Sequence, residues 1–198
     1  KTGMVVSQRQ IASEVGATIL RNGGNAVDAA VATGLPLAVV LPRAGNIGGG
    51  GFMVVYMKDS NKTIAIDYRE KAPSAAHRNL FLDENGNYDK RKAQFSLLSA
   101  GVPGTVAGLH HALIKYGTMS WKEVIAPAIE LAEEGFAVPH DLANILASED
   151  YKRRLTSNEG GAQSFYKENN ENYAAGEMLA QRDLAWSLKQ LRDFGPKA

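Results

Sequence analysis

The sequence predicts a layered α+β domain, and three observations carry that expectation. The run AVDAAVATGLPLAVVLP, Ala26 to Pro42, is apolar on nearly every side, as a helix lying between layers must be. The segment FMVVYM, Phe52 to Met57, is apolar at every position, as a strand buried on both faces is. TIAIDYR, Thr63 to Arg69, then alternates: Ile64, Ile66 and Tyr68 point one way, and Ala65, Asp67 and Arg69 the other. The polar link KDSNK between the two strands predicts a hairpin.

Length and composition bound the alternatives. The chain has 198 residues, 44% hydrophobic and 22% charged, which suits one compact domain or a large piece of one. Its 22 basic and 21 acidic residues leave a net charge of +1, without the basic footprint of nucleic-acid or anionic-membrane binding. Small-molecule partners are therefore favoured over nucleic acid. The absence of cysteine removes disulfides, thiolate metal sites and a thiol nucleophile, and the four scattered histidines assemble no metal site. The apolar run from Ala26 is interrupted by Asp28, Gly34 and Pro36 and is too short for a bilayer about 30 Å thick. KTGMVVSQRQ at the start has no basic-then-apolar pattern, so a secretion signal is expected to be absent or already removed.

In chain order, Gly3 to Ser7 reads as a short strand, and Ser7 with Gln10 as a capping box opening a helix with Ile11, Val15 and Ile19 on one face. Asn22 to Gly24 stops it, and Asn25 caps the apolar helix. Beyond Pro73 lies a polar stretch with a turn signal at Asp83 to Asn87. Val102 to Gly117 reads as a helix with Pro103 in its first turn, and Ser120 with Glu123 as a second capping box before a helix ending at Gly135. Pro127 is expected to kink that helix. Asp141 to Ser148 is expected to be helical, Tyr151 to Asn172 polar and irregular, and Gln181 to Phe194 an amphipathic helix with Leu184, Leu188 and Leu191 on one side. There is no internal repeat and no low-complexity linker, so a single domain over residues 1–198 is the simplest account.

NIGGGGF, Asn46 to Phe52, poses the functional question, because four adjacent glycines give up more backbone entropy on ordering than other residues would. Phosphate loops follow a strand, open a helix and carry a lysine and a hydroxyl. These glycines follow a helix and open a strand, without G-K-S/T, which argues against a nucleotide. Pairing Met57 near Thr63 would set Phe52 beside Tyr68 and Gly51 beside Arg69. An arginine at a strand end, next to unshielded amides, suits a carboxylate ligand. Alternatively Arg69 makes a structural ion pair with Asp67 or Glu70, and the glycines serve only tight packing against the buried helix.

Four segments in order, NGGNAVDAAVA (Asn22 to Ala32), PRAGNIGGGGFMVVY (Pro42 to Tyr56), IDYREKAP (Ile66 to Pro73) and GVPGTVAGLHHALIKYGTMSW (Gly101 to Trp121), resemble the gamma-glutamyltransferase family, specifically the front of its large subunit. The resemblance runs from about Gly3 to Gly135 and more loosely to the end. It implies the four-layer αββα sandwich of N-terminal-nucleophile hydrolases, of which this chain is a part. It implies cleavage of gamma-glutamyl amides such as glutathione through a threonine ester, with transfer to water, amino acids or peptides. It implies a precursor that cuts itself, no metal and no organic cofactor, and a location outside the cytoplasm, periplasmic or secreted.

Arg69 in IDYREKAP matches the family arginine that holds the substrate alpha-carboxylate. The nucleophilic threonine, the oxyanion-stabilising glycines and the groups for the substrate amine belong to the small subunit, so no catalytic residue is expected here. Thr2 follows Lys1 and is not expected to be that nucleophile. His110 and His111 lie about 100° apart on a helix and share no face, and Lys152 to Arg154 reads as a solvated turn. A related cephalosporin acylase, a poly-gamma-glutamate-processing enzyme and a non-catalytic fragment remain as alternatives.

Overall fold

The computed structural model describes residues 3–197. Helices α1 (Gln10–Arg21) and α2 (Ala26–Val40) lead into a hairpin of β1 (Phe52–Met57) and β2 (Lys62–Asp67). After a mostly irregular stretch with the short α3 (Lys90–Phe95) come α4 (Thr105–Tyr116), α5 (Trp121–Glu134) and β3 (Phe136–Ala137). Helices α6 (His140–Ala147), α7 (Glu149–Thr156) and α8 (Glu159–Phe165), strand β4 (Met178–Leu179) and helix α9 (Arg182–Phe194) complete the described elements. The chain divides into two compact units, one spanning Ile47–Leu109 and the other formed by the flanking chain up to Asn46 and from His110 onward.

The flanking unit is built around α2. Eleven of its fifteen residues are buried, as its all-round apolar sequence requires, and it packs against α1 and α5. Val31, Leu35 and Val39 of α2 join Leu113, Val124, Ile125, Leu142 and Leu188 in the fully buried core. The apolar stripe of α9 lies on α5, and the Trp121 indole N–H donates to the Leu191 carbonyl at 2.8 Å. Gln181 is buried with its side-chain amide donating to the Val39 carbonyl at 2.8 Å.

One charged group lies at the centre of this unit. Asp28 is fully buried, and its carboxylate accepts from Thr118 Oγ1 at 2.6 Å, Asn25 N–H at 2.7 Å, Thr118 N–H at 2.8 Å and Met119 N–H at 3.1 Å. Asn25 caps α2 in return, accepting from Val27 and Asp28 N–H, which completes a capping box. Burial works to raise the Asp28 pKa, but the hydrogen bonds from Thr118, Asn25 and Met119 outweigh it and hold the carboxyl below its ordinary 3.8. The turn before α2 is thereby fastened to the turn between α4 and α5.

Local signals at several ends differ from expectation. Gly3 to Ser7 is not a strand, and α1 begins after Arg9 without a side-chain cap. The Ser7 hydroxyl bonds instead to the Arg9 carbonyl and the Ser13 hydroxyl, while Gln10 reaches Glu14. Arg9 does other work: its Nε donates to the Val40 carbonyl at 3.1 Å and its two terminal nitrogens grip Asp141 at 2.9 and 2.8 Å. The Ser120–Glu123 capping box forms as read, and Pro127 lies inside α5. Helix α4 starts at Thr105, after Val102 and Pro103, because Val102 is engaged in an antiparallel bridge with Lys71. Much of Tyr151 to Asn172 is helical in α7 and α8, where Arg153 and Arg154 both pair with Asp150.

In the unit Ile47–Leu109, β1 and β2 pair antiparallel with Met57 opposite Lys62 and Phe52 opposite Asp67. The register is one residue from the expected one, because the link is four residues long. A short 3-10 turn over Lys58–Ser60 closes through Asn61, which takes a left-handed conformation (φ 49°), so pairing starts at Lys62. Met53, Val55 and Met57 are covered by the unit, whereas Phe52, Val54 and Tyr56 are 63%, 72% and 61% exposed. The expectation that both faces of β1 are buried therefore fails within these residues.

Replacing Asp28 by alanine in the complete protein takes the acceptor from three part-buried backbone N–H groups, at about 1 kcal/mol each, so a loss of roughly 3 kcal/mol is expected. Because the folded pKa is lowered, the charge contributes fully at neutral pH and its contribution fades as pH falls from 3.8 through the folded value. Urea unfolding of the parent and Asp28→Asn should accordingly differ at neutral pH and converge in acid. An unchanged midpoint in Asp28→Ala at neutral pH would contradict this.

Candidate functional site

The site grows from the end of β2. One rung beyond the strand, Gly51 and Tyr68 exchange both backbone hydrogen bonds, at 3.3 and 3.0 Å. A β-carbon on Gly50 would lie 2.6 Å from the Tyr68 carbonyl oxygen and 2.9 Å from Arg69 Cα. On the other side, the Gly104 and Thr105 N–H groups donate to the Gly49 carbonyl at 2.8 and 3.0 Å. A β-carbon on Gly104 would fall 2.0 Å from the Tyr68 carbonyl oxygen, and one on Gly108 would fall 2.2 Å from the Tyr68 ring. The backbone of Tyr68 and Arg69 is thus held between the glycine loop and the first turn of α4.

The glycines answer a steric demand made by the protein's own chain. Gly50 and Gly51 pack against the end of β2, not against the apolar helix, and Gly49 supplies a carbonyl to the start of α4. Past Arg69, Lys71 and Val102 exchange two backbone hydrogen bonds at 3.2 and 2.8 Å, so the extended path continues. Gly51 pairs with Tyr68 rather than with Arg69, a consequence of the shifted register.

Arg69 leaves this clamp with its backbone N–H bonded to Asp67 Oδ1 at 3.0 Å. Among the described residues its guanidinium has no carboxylate within ion-pair distance, so the structural salt bridge to Asp67 or Glu70 is not formed. The stem of Glu70 packs over Gly101 instead. Arg69, Lys71, Leu80, Phe81, Leu98 and Gly101 line an open groove of about 440 Å³. A planar cation beside such a groove can take a carboxylate through two parallel hydrogen bonds. Burial pushes the Tyr68 hydroxyl above its ordinary value of 10, so it stays protonated at neutral pH.

The remaining chemistry-bearing residues fall elsewhere. His110 is half-buried with its ring edge-on to Trp121 at 5.1 Å, and burial followed by the nearby His111 lowers its pKa, whereas His111 is exposed. The two share no face. Lys152 to Arg154 lies on α7, a helix where a solvated turn was expected. Thr2 lies outside the described residues. Among the described residues no three His, Asp or Glu groups converge as a metal site would, and no helix is long and apolar enough to cross a membrane. Sequence reasoning missed Lys71, Gly104 and Gly108 as site residues. For Lys71 the signal was its place two residues after Arg69 on an extended strand, whereas the glycine contacts span some 40 residues and leave no local trace.

This architecture is part of the α+β four-layer αββα sandwich of N-terminal-nucleophile hydrolases. The chain belongs to the gamma-glutamyltranspeptidase family, whose model matches residues 12–198. It is 47% identical over 196 residues to the glutathione hydrolase proenzyme of Escherichia coli (strain K12), a match covering 99% of this chain and 33% of that protein. The crystal structure of Helicobacter pylori gamma-glutamyltranspeptidase superposes with a TM-score of 0.95 and 44% identity, over 100% of this chain and 56% of that one. A cephalosporin acylase from Bacillus halodurans superposes with a TM-score of 0.84 at 25% identity, over 98% of this chain and 36% of that one. The chain spans about a third of the length of the curated relatives it matches.

Each glycine obstacle is distinct and can be separated by a double-mutant cycle. Gly104→Ala and Gly108→Ala are each expected to cost about 1–3 kcal/mol or more in urea unfolding of the complete protein. A second change, Tyr68→Gly, removes the ring and β-carbon that block Gly108→Ala but not the backbone oxygen that blocks Gly104→Ala. It should therefore mask part of the Gly108→Ala penalty only, and equal masking of both would disprove the packing described.

Proposed function

We propose that the complete protein cleaves gamma-glutamyl amides such as glutathione, holds the glutamyl group as a threonine ester, and passes it to water or to an amino acid or peptide acceptor. In this reading the present chain is the front of the large subunit, and Arg69 holds the alpha-carboxylate of the glutamyl group. The observation that carries the assignment is the geometry of Arg69: a guanidinium without a protein carboxylate, projecting from a backbone clamped by Gly50 and Gly104. A fixed cation of this kind positions a substrate at low entropic cost.

The nucleophile in this reading is a threonine freed at the start of the small subunit when a precursor cuts itself, its own amine serving as base. The threonine hydroxyl attacks the gamma-carbonyl, the amine leaves, and water or an acceptor amine releases the ester. The proposal also gives the exposed face of β1 an occupant, because the second sheet of the sandwich would cover Phe52, Val54 and Tyr56. An extracytoplasmic location, periplasmic or secreted, accompanies the reading. The likeness to a cephalosporin acylase supports a second possibility, the same nucleophile acting on a different acyl group, which a substrate panel distinguishes.

Release of the chromophore from a gamma-glutamyl anilide by the complete protein tests the assignment. Arg69→Ala should raise KM and lower kcat/KM roughly 10- to 100-fold, the equivalent of about 1.5–3 kcal/mol for a lost charge-assisted contact. Arg69→Lys should recover only part, since one ammonium cannot reproduce the planar fork. An unchanged KM in Arg69→Ala would remove Arg69 from the site.

A further inference from the structure

The groove beside Arg69 holds a second cation. Lys71 stands two residues further along the same extended segment, so its side chain leaves on the same side as that of Arg69, with Cα atoms about 7 Å apart. The Lys71–Val102 bridge fixes its backbone. Its ammonium is exposed and, among the described residues, makes no ion pair. Glu70, between the two, also borders the groove, where its stem packs over Gly101, and among the described residues it forms no ion pair with either cation. Across from this segment the groove wall is largely apolar, formed by Leu80, Phe81 and Leu98.

Two same-side cations over an apolar wall fit a ligand with two carboxylates joined by a short, weakly polar body. A gamma-glutamyl dipeptide or tripeptide with a free C-terminus is such a ligand, its two carboxylates about 10 Å apart when extended. With Arg69 on the alpha-carboxylate, as in the reading above on which this rests, the second carboxylate belongs to the leaving peptide. We propose that Lys71 is a specificity-determining residue that binds the C-terminal carboxylate of the leaving peptide, so that the protein favours gamma-glutamyl peptides ending in a free acid over neutral gamma-glutamyl amides. An ammonium suits this role because it tolerates a range of peptide lengths, whereas the fork of Arg69 fixes the invariant end.

The test uses the complete protein with three donors: glutathione, its C-terminal amide, and an uncharged gamma-glutamyl anilide. For the parent, kcat/KM should be highest for the free acid and should fall towards the amide value as salt is raised. Lys71→Met should lower kcat/KM for glutathione roughly tenfold, mainly through KM, and leave the amide and the anilide unchanged. Lys71→Arg should restore the preference. Because the side chain is exposed and only its backbone is bridged, both variants should fold as the parent does. Equal effects of Lys71→Met on all three donors, or none on any, would overturn the role of Lys71 while leaving the function above intact. Failure of the parent to cleave any of the three would overturn that function and this inference together.

Discussion

The unit carrying the candidate site depends on one steric constraint: the backbone of Tyr68 and Arg69, together with the Tyr68 ring, passes where β-carbons of its neighbours would otherwise be. Gly50 and Gly51 yield on one side, Gly104 and Gly108 on the other. Glycine gives up much conformational entropy on ordering, and here that cost is offset by backbone pairing. Gly51 and Tyr68 exchange two hydrogen bonds, and Gly49 accepts two more from Gly104 and Thr105. The result is a strand end that cannot swing. A guanidinium on such a support presents its donors without first losing backbone freedom, which is what binding a small charged group demands.

The flanking unit solves a different problem with a comparable device. A carboxylate in an apolar interior is costly unless its oxygens are satisfied, and Asp28 receives four hydrogen bonds from Thr118, Asn25 and Met119 without any cation nearby in the network. Charge-assisted bonds to neutral donors avoid desolvating a second ion. The arrangement also couples distant parts of the chain, because the same aspartate caps α2 and anchors the turn ahead of α5. Surface pairs such as Asp150 with Arg153 and Arg154 contribute much less per contact.

What could be read from the sequence follows from the range of the interactions involved. The capping boxes at Asn25 and at Ser120 with Glu123 close within three residues, and both form. Ser7 with Gln10 has the same local pattern but loses to distant contacts: Arg9 is drawn to Val40 and Asp141, and the helix starts where that arginine lets it. Composition misled over Tyr151 to Asn172, where polarity suggested irregular chain although Asp150 lies at the i,i+3 and i,i+4 spacings that support a helix. The hairpin slipped by one register because a single left-handed Asn61 shortened its link. Arg69 was legible through its motif, whereas the clamp around it was not, since a glycine's partner some 40 residues away has no signature in the glycine itself.

The strand β1 shows why an exposed residue and a misread residue are different things. Six consecutive apolar side chains imply two covered faces, yet only Met53, Val55 and Met57 are covered here. Phe52, Val54 and Tyr56 stand opposite Asp67, Ala65 and Thr63 on a face that is mostly apolar and mostly bare. A strand sequence records the surroundings of the whole folded protein, whereas exposure records only the chain at hand. This chain spans about a third of its relatives' length, and under the proposed function the bare face would be an inner face of the sandwich. Arg69 continues the alternation of Asp67 on that same side of the hairpin, so under the proposed function the second sheet would close over the face that carries this arginine.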